Sequence, residues 1–194
     1  MPGQRFCGMF KRCSCLKKEH FFILISMFFL ERGVTMSLRW NAFVVLGTDG
    51  KAIRGKDGLP GQHPRDRERL YALVQDHTVI VGKKAASEIA GNGFSFSHTI
   101  IVGGDKHLER AGVSTAPRLA VAKMGIRRNE TDVFVIGGSD TYRRSFEFID
   151  RIYVYVDTTL PGNAGIFPSY DERLWRELEC WKGRRTIYRV LEKG

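Results

Sequence analysis

Apolar residues in the body of this chain come in short runs, and most runs end at glycine or at charged residues. Short apolar runs between turn residues are typical of strands that are buried on both faces of a sheet. We predict strands of this kind at residues 41–47, 78–81, 99–102 and 133–136. The segments between them favour helices, which we predict at residues 66–76, 83–90, 118–124 and 141–148.

Two segments near the carboxyl end alternate between apolar and polar residues. They are residues 151–157 (RIYVYVD) and 186–192 (TIYRVLE). Alternation with a period of two predicts strands, and we expect these two to form an antiparallel edge of the sheet. The strands and helices that alternate upstream predict an α/β fold with a mostly parallel sheet and helices on both faces. No repeat and no linker divides residues 36–194, so we expect a single domain there.

Three predicted strands end in glycine, at Gly82, at Gly103-Gly104 and at Gly137-Gly138. Ligands of open α/β sheets bind outside the carboxyl ends of the strands. After the last pair, Ser139 or Asp140 is placed to cap a helix whose free N–H groups would face an anion. This pattern predicts a phosphate-binding turn. The sequence lacks the G-x-G-x-x-G fingerprint of standard dinucleotide-binding folds.

The distribution of charged residues indicates which kinds of partner the chain could bind. The chain has 194 residues and a formal charge of +10, but its basic residues are scattered and no nucleic-acid-binding motif accompanies them. A basic surface that serves a small polyanion such as NADPH, or that serves no specific partner, is the better interpretation. Three of the four cysteines lie within the first fifteen residues, so we predict neither a disulfide framework nor a metal site, and a reducing cytosol is favoured.

Residues 1–35 do not share the pattern of the rest. A basic segment precedes the apolar run 21–30, which is too short to span a bilayer but long enough for the core of a signal peptide. We favour another interpretation, in which residues 1–35 are translated leader sequence and Met36 is the true start. The reason is that Glu31-Arg32-Gly33 can be encoded by a purine-rich, ribosome-binding stretch. A signal or anchor and a genuine extension remain open alternatives.

Six pieces of the sequence, in order and at compatible spacings, resemble the dihydrofolate reductase family from about Trp40 to Glu192. They are the opening strand with the loop that ends in Leu59-Pro60, Asp66, the segment 78–83, the segment 98–102, the V-I-G-G-x-x-x-Y segment within 133–142, and Ile166-Phe167-Pro168. The resemblance implies a mostly parallel central sheet with helices on both faces and an antiparallel carboxyl-terminal edge hairpin. It also implies reduction of 7,8-dihydrofolate to 5,6,7,8-tetrahydrofolate with NADPH.

Asp66 stands where the family places the acid of its pterin pocket, so the resemblance implies that it is the catalytic residue. A carboxyl group in an apolar pocket has a raised pKa, which suits an acid that promotes protonation of an imine nitrogen. The alternative is that Asp66 only caps the helix that follows Pro64. The predicted substrate-binding residues are Val44, Leu59, Asp66, Leu70, Ile89 and Tyr155.

The cofactor half of the family pattern is the better preserved. Lys83 stands where the family has a cation for the 2′-phosphate, which favours NADPH over NADH. The alternative is that Lys83 and Lys84 are solvated surface lysines. The predicted cofactor-binding residues are Leu46, Ile53, Gly55, Gly58, Lys83, Lys84, Ala85, Gly103, Gly104, Ile136, Gly137, Gly138, Ser139, Asp140, Thr141 and Tyr142.

The folate half departs from the family. Gly61 replaces a tryptophan, Arg67 replaces an apolar residue, and Tyr155 stands where threonine is common. The arginine that binds the α-carboxylate of folate is missing before the strand at 99–102, and Arg67, Arg69 or His98 could replace it.

Two alternatives to dihydrofolate reduction remain open, and the missing arginine and tryptophan favour the first of them. One is a reductase of the same fold that acts on another pterin or on a pyrimidine, and the other is a non-catalytic protein. We expect a cytoplasmic monomer that binds its small-molecule substrate and binds neither nucleic acid nor a membrane.

Overall fold

An eight-stranded sheet with helices on its faces organises the computed structural model of this chain, which describes residues 37–56, 58–91 and 96–194. The predictions made for residues 1–35 lie outside these residues. The strands are β1 (Arg39–Leu46), β2 (Thr78–Gly82), β3 (His98–Val102), β4 (Val113–Ala116), β5 (Asp132–Ile136), β6 (Arg151–Asp157), β7 (Trp175–Lys182) and β8 (Thr186–Lys193). The helices are α1 (Pro64–Val74), α2 (Lys83–Gly91), α3 (Leu119–Met124) and α4 (Ser139–Ser145).

The strand order is β4-β3-β2-β5-β1-β6-β8-β7. Strands β1 to β6 pair in parallel, whereas β8 is antiparallel to both β6 and β7. This is the mixed, mostly parallel sheet with an antiparallel carboxyl-terminal hairpin that the sequence predicted. Because β2, β3 and β5 are parallel neighbours, their three glycine-ended termini lie at the same edge of the sheet.

Alternate residues of β1 face two separate cores. Phe43 and Val45 belong to one buried cluster, and Ala42 and Val44 belong to the other. Successive side chains of a strand point to opposite faces, so a strand that is covered on both sides is apolar at nearly every position. This explains why NAFVVL lacks the alternation of a half-exposed strand.

The sequence patterns missed β4 and β7. Strand β4 has only four residues, and all residues of β7 after Trp175 are exposed. Exposed edge strands carry charged residues that protect them from pairing with other chains, and this removes the apolar signal. The predicted edge at 186–192 is corrected accordingly, because β8 lies inside the sheet and β7 forms its edge.

Glu130 anchors the start of β2 to the loop before β5. Its carboxylate accepts hydrogen bonds from the Thr78 hydroxyl (2.6 Å) and from Arg127 Nε (2.9 Å), and it lies 3.0 Å from Nδ1 of His77. The side chain is only 4% exposed. Burial by itself raises the pKa of Glu130, but these hydrogen bonds outweigh it and hold the pKa below the usual value.

We expect Glu130→Gln to lower the free energy of unfolding by about 1–3 kcal/mol at pH 7, because charge-assisted hydrogen bonds are lost. A lowered pKa in the folded state stabilises the protein above the unfolded-state pKa of 4.5, and this contribution is lost as the pH falls. The difference between the variants should therefore shrink in acid. Urea unfolding at several pH values measures it, with the exposed Glu68→Gln as control. A constant difference at all pH values would contradict this role.

Candidate functional site

A cleft of about 710 Å³ opens at the carboxyl ends of β2, β3 and β5. It brings together eight of the predicted cofactor-binding residues, namely Lys83, Lys84, Ala85, Gly103, Gly138, Ser139, Asp140 and Thr141. Lysines and arginines give its walls a positive character. The cleft therefore suits an extended polyanion such as a dinucleotide.

Close packing at the ends of β2 and β5 depends on two glycines. A Cβ on Gly137 would lie 2.7 Å from Cβ of Thr141, and a Cβ on Gly82 would collide with the Thr141 hydroxyl. Only residues without a side chain let α4 approach the two strands this closely. A Cβ on Gly138, in contrast, would meet nothing within 4 Å. The two glycines of the pair therefore differ, because Gly137 is needed for close packing and Gly138 borders open space.

Gly138 lines the cleft, so its open side can be tested. We expect Gly138→Val to leave the Tm nearly unchanged while weakening NADPH binding by about tenfold or more, since the new side chain projects into the cleft. Gly137→Ala is the matched control, and we expect it to destabilise the fold by about 1–3 kcal/mol through overpacking. Thermal unfolding and NADPH titration measure both effects. Unchanged NADPH affinity in Gly138→Val would place the cofactor elsewhere.

Tyr142 is a buried anchor of α4. Its hydroxyl donates a 2.7 Å hydrogen bond to the carbonyl oxygen of Phe43, and its ring packs edge-on against Phe167 at 5.0 Å. Burial raises the pKa of Tyr142 to about 12. Tyr142, which we predicted to bind the cofactor, is therefore a neutral side chain that fixes α4 to β1.

Asp66 lies in the first turn of α1 and is 6% exposed. Its carboxylate accepts a 3.3 Å hydrogen bond from the backbone N–H of His63, which is the N-cap residue, and lies 3.7 Å from the guanidinium of Arg69. Burial raises the pKa of Asp66, opposed by the His63 hydrogen bond and by the charge of Arg69. The geometry unites both interpretations, because Asp66 belongs to a capping box and is also a buried acid.

A small cavity shares lining residues with both the cleft and a cavity beside Asp66. This small cavity, of about 20 Å³, shares Arg54, Gly138 and Ser139 with the cleft. It shares Val45 with a third cavity, of about 670 Å³, which Asp66 lines. The small cavity is where a ligand in the cleft and a ligand at Asp66 would meet.

The cavity beside Asp66 is less apolar than predicted. Much of its wall is polar or basic, including Gln62, Arg65, Arg69, Thr159, Arg184 and Arg185. The predicted substrate-binding residues Leu59, Leu70, Ile89 and Tyr155 are all buried in the core cluster that also holds Phe43 and Val45. They form the apolar packing on the same face of the sheet as Asp66.

Val44 lies on the opposite face of the sheet, with Ile152 and Val154. The neighbouring Val45 shares the face of Asp66 and lines its cavity. Val44 also lines the small cavity, so its predicted contact with the substrate stays a prediction. Successive side chains of a strand point to opposite faces, so Val44 and Val45 border the small cavity from different sides of the sheet.

Tyr155 is held among aromatic and cationic groups. Its ring lies 5.1 Å from that of Phe43 and 4.6 Å from that of Tyr188, and the guanidinium carbon of Arg69 lies 4.8 Å from its centre. Burial is the main reason why the pKa of Tyr155 is raised to about 12. Arg69 thus links the tyrosine to Asp66.

The other predicted cofactor-binding residues do not line the cleft. Ile53 lines the small cavity, Ile136 is buried in the core cluster of Phe43, and Leu46 packs on the opposite cluster. The remaining glycines serve the local backbone: Gly55 N–H donates to the carbonyl of Leu59 (2.9 Å), Gly58 has a positive φ of 78°, and a Cβ on Gly104 would lie 2.7 Å from Ile101.

The sequence patterns missed a crosslink between two loops that wall the cleft. The backbone N–H of Arg54 donates to Oδ1 of Asn163, and Nδ2 of Asn163 donates to the carbonyl of Arg54, each at 2.8 Å. Both residues line the cleft, together with Gly82, Val102, Pro117, Leu119, Arg144, Ala164 and Gly165, which were not predicted either. No periodic pattern marks such loop residues.

The three candidates for the missing carboxylate-binding arginine lie in different places. Arg69 lines the Asp66 cavity, Arg67 donates to the carbonyl of Gln62 (3.4 Å), and a ring nitrogen of His98 lies 3.4 Å from the carbonyl of Gly125. Within the described residues, no cluster of metal-ligating side chains occurs. None of the helices in that same part of the chain is long and apolar enough to cross a membrane.

The comparisons with known proteins agree with one another. A sequence model of the family "Dihydrofolate reductase" matches residues 42–186. The dihydrofolate reductase of Staphylococcus haemolyticus is 25% identical to this chain over 142 residues, which cover 72% of this chain and 84% of the relative. That of Bacillus subtilis (strain 168) is 26% identical over 143 residues, which cover 73% and 83%.

A solved structure has the same fold. It is the dihydrofolate reductase from Enterococcus faecalis complexed with NADP(H) and RAB-propyl, which superimposes with a TM-score of 0.68 at 15% identity and covers 80% of this chain and 96% of its own. The family match spans both the cleft and Asp66. This chain belongs to the dihydrofolate reductase family, whose members are NADPH-dependent oxidoreductases.

Proposed function

We propose that this chain reduces 7,8-dihydrofolate to 5,6,7,8-tetrahydrofolate with NADPH. The observation that carries the proposal is that a small cavity shares lining residues with both the basic cleft and the cavity that a buried carboxyl group lines. Hydride transfer needs two ligands face to face and a source of a proton beside one of them. The family of the chain makes these ligands NADPH and dihydrofolate.

The cleft fits the cofactor through its backbone and its cations. Gly138 leaves open space where a dinucleotide would run, and the ammonium groups of Lys83 and Lys84 supply positive charge for its phosphates. NADPH, when bound, supplies a hydride to the substrate. The chain itself holds the two ligands in contact at the small cavity and excludes water there with Val45, Ile53 and Tyr142.

Asp66 is the proposed acid. The pterin ring gains a hydride at carbon and a proton at the adjacent nitrogen, and a neutral imine accepts hydride poorly. Burial raises the pKa of Asp66, so its carboxyl group holds a proton at a higher pH than an exposed aspartate could. The group therefore favours the protonated form of a substrate that is bound to it. Its place in the capping box fixes the carboxyl group without help from a ligand.

Purified protein with NADPH and dihydrofolate tests the proposal directly. We expect NADPH oxidation matched one to one by tetrahydrofolate. NADPH binding without turnover of dihydrofolate would overturn the proposal.

A second candidate is a reductase for another pterin or a pyrimidine. The observation that favours it is the cluster of Tyr155, Tyr188 and Arg69 beside Asp66, at a position where the family commonly has threonine. A dihydropterin without the benzoylglutamate tail distinguishes the two. A higher kcat/KM for the tail-less compound than for dihydrofolate would favour the second candidate.

The proposal includes a monomer in the cytoplasm and a domain that starts at about residue 36. Among the described residues, Met124, Leu160 and Ile166 are large exposed apolar side chains on separate segments, whereas Leu174, Leu178 and Trp181 lie on or beside the edge strand β7. Cys180 is a free thiol, which suits a reducing compartment. Gel filtration and the activity of residues 36–194 alone test these points.

A further inference from the structure

We infer that Asp105 is a specificity-determining residue that competes with the 2′-phosphate of NADPH for Lys83 and thereby weakens the preference for NADPH over NADH. Oδ2 of Asp105 lies 2.6 Å from Nζ of Lys83, a short charge-assisted hydrogen bond. The inference rests on the proposed function, since it concerns the cofactor of the same cleft. It adds an acidic group that the cofactor-binding pattern of the sequence did not include.

The pairing follows from the topology. Gly82 and Val102 are register partners on the parallel strands β2 and β3, so the residues that follow them emerge side by side at the edge of the sheet. Lys83 comes directly after Gly82 and begins α2, where it lines the cleft. The chain after Val102 turns at Gly103, whose φ is +71°, and this turn brings Asp105 alongside Lys83.

The carboxylate of Asp105 is not used elsewhere by the local fold. Asp105 is the N-cap residue of the short turn 106–108, yet its side chain makes no capping hydrogen bond. The hydrogen bond from Lys83, helped by its charge, holds the pKa of Asp105 below the usual value, so the group is an anion at neutral pH. An aspartate in this position would ordinarily cap the turn, and here it bonds the cleft lysine instead.

Both partners face solvent, with exposed fractions of 51% for Lys83 and 54% for Asp105. The ion pair is therefore accessible to a ligand and easily exchanged. An ammonium group can bond two anions together, but two oxygens within hydrogen-bonding distance of one nitrogen lie at most about 5–6 Å apart. A 2′-phosphate on Lys83 would thus lie close to the Asp105 carboxylate and be repelled by it.

NADH has a neutral 2′-hydroxyl in place of the phosphate, so the Asp105 carboxylate does not repel it. A carboxylate near that position can also accept a hydrogen bond from the hydroxyl, as acidic residues do in NAD-binding folds. Asp105 therefore shifts the balance of the cleft toward NADH without removing the cation that binds NADPH. Lys83 and Asp105 act in opposite directions on the same selectivity.

The test compares the dissociation constants of NADPH and NADH in the full-length protein. We expect Asp105→Asn to raise the affinity ratio in favour of NADPH by about five- to tenfold at low salt, with the gain shrinking at high salt because exposed charges are screened. Asp105→Glu keeps the charge and should retain a ratio close to that of the parent. Glu109→Gln, another exposed acid after β3, is the matched control.

Adenosine 2′,5′-bisphosphate and adenosine 5′-monophosphate repeat the comparison without the nicotinamide, and we expect the bisphosphate alone to bind more tightly to Asp105→Asn. An unchanged ratio, or an equal gain for both nucleotides, would overturn the inference and leave the proposed function intact. Weaker NADPH binding by Asp105→Asn would also overturn it, because Asp105 would then position the lysine. Failure of every nucleotide to bind any variant would overturn the proposed function and this inference together.

Discussion

Asp66→Asn is expected to lower kcat for dihydrofolate reduction by about 10²–10⁴ at neutral pH, the usual contribution of a positioned acid or base. Asparagine keeps the size and much of the hydrogen bonding of the side chain but cannot stabilise a protonated substrate. Asp66 lines the third cavity and does not line the cleft, so the affinity for NADPH should hardly change. Steady-state kinetics and NADPH titration of the same preparations measure both quantities.

The pH dependence separates the chemical role of Asp66 from a capping role. As the pH falls, solvent increasingly protonates the substrate directly, so the deficit of Asp66→Asn should shrink in acid. A helix cap alone would change the free energy of unfolding but not the shape of the rate profile. Glu68→Gln on the exposed side of α1 is the control. Turnover of Asp66→Asn equal to that of the parent protein at neutral pH would leave Asp66 as a cap only.

A change in the stability of the fold should not account for the lower kcat of Asp66→Asn. Because the pKa of Asp66 is raised in the folded state, the group stabilises the fold most at low pH, where it is protonated. That contribution is lost as the pH rises through the raised pKa. At neutral pH, asparagine removes the cost of a buried charge while losing part of the bond to the His63 N–H. We therefore expect the variant to fold under the conditions of the assay.

The succession of strands and helices along the chain and the location of the cleft were predictable because local sequence determines both. Buried parallel strands are apolar at nearly every position, and Gly82 and the pair Gly137-Gly138 mark the strand ends where α2 and α4 begin. The position of Asp66 at the start of a helix was predictable from the sequence, whereas its role as the acid was implied by the resemblance to the family.

Features that depend on long-range contacts were not predictable. Both faces of β1 are buried, so its pattern did not show that Val45 and not Val44 shares the face of Asp66. The exchange of hydrogen bonds between Arg54 and Asn163 joins loops that are 109 residues apart, and no periodicity marks it. The pairing of Asp105 with Lys83 likewise needs β2 and β3 to lie side by side.

Lys83→Ala is expected to weaken NADPH binding by about ten- to a hundredfold, because a charge-assisted hydrogen bond to the 2′-phosphate is worth about 1.5–3 kcal/mol. NADH has no such phosphate and should lose little. Lys83 begins α2 at the edge of the cleft and is half exposed, so its removal should not disturb the core. Fluorescence titration with both nucleotides measures the difference. Equal losses for NADPH and NADH would show that Lys83 does not bind the 2′-phosphate.

A double-mutant cycle with Asp105→Asn separates two causes of the weaker NADPH binding that Lys83→Ala alone combines. Lys83→Ala removes the bond to the phosphate and also leaves Asp105 without its 2.6 Å partner, so part of the loss comes from a carboxylate that is no longer neutralised. We expect Asp105→Asn to recover a larger share of NADPH affinity in the Lys83→Ala background than it adds to the parent protein. The two effects would instead add if the residues acted independently, and the ion pair would then have no part in cofactor selection.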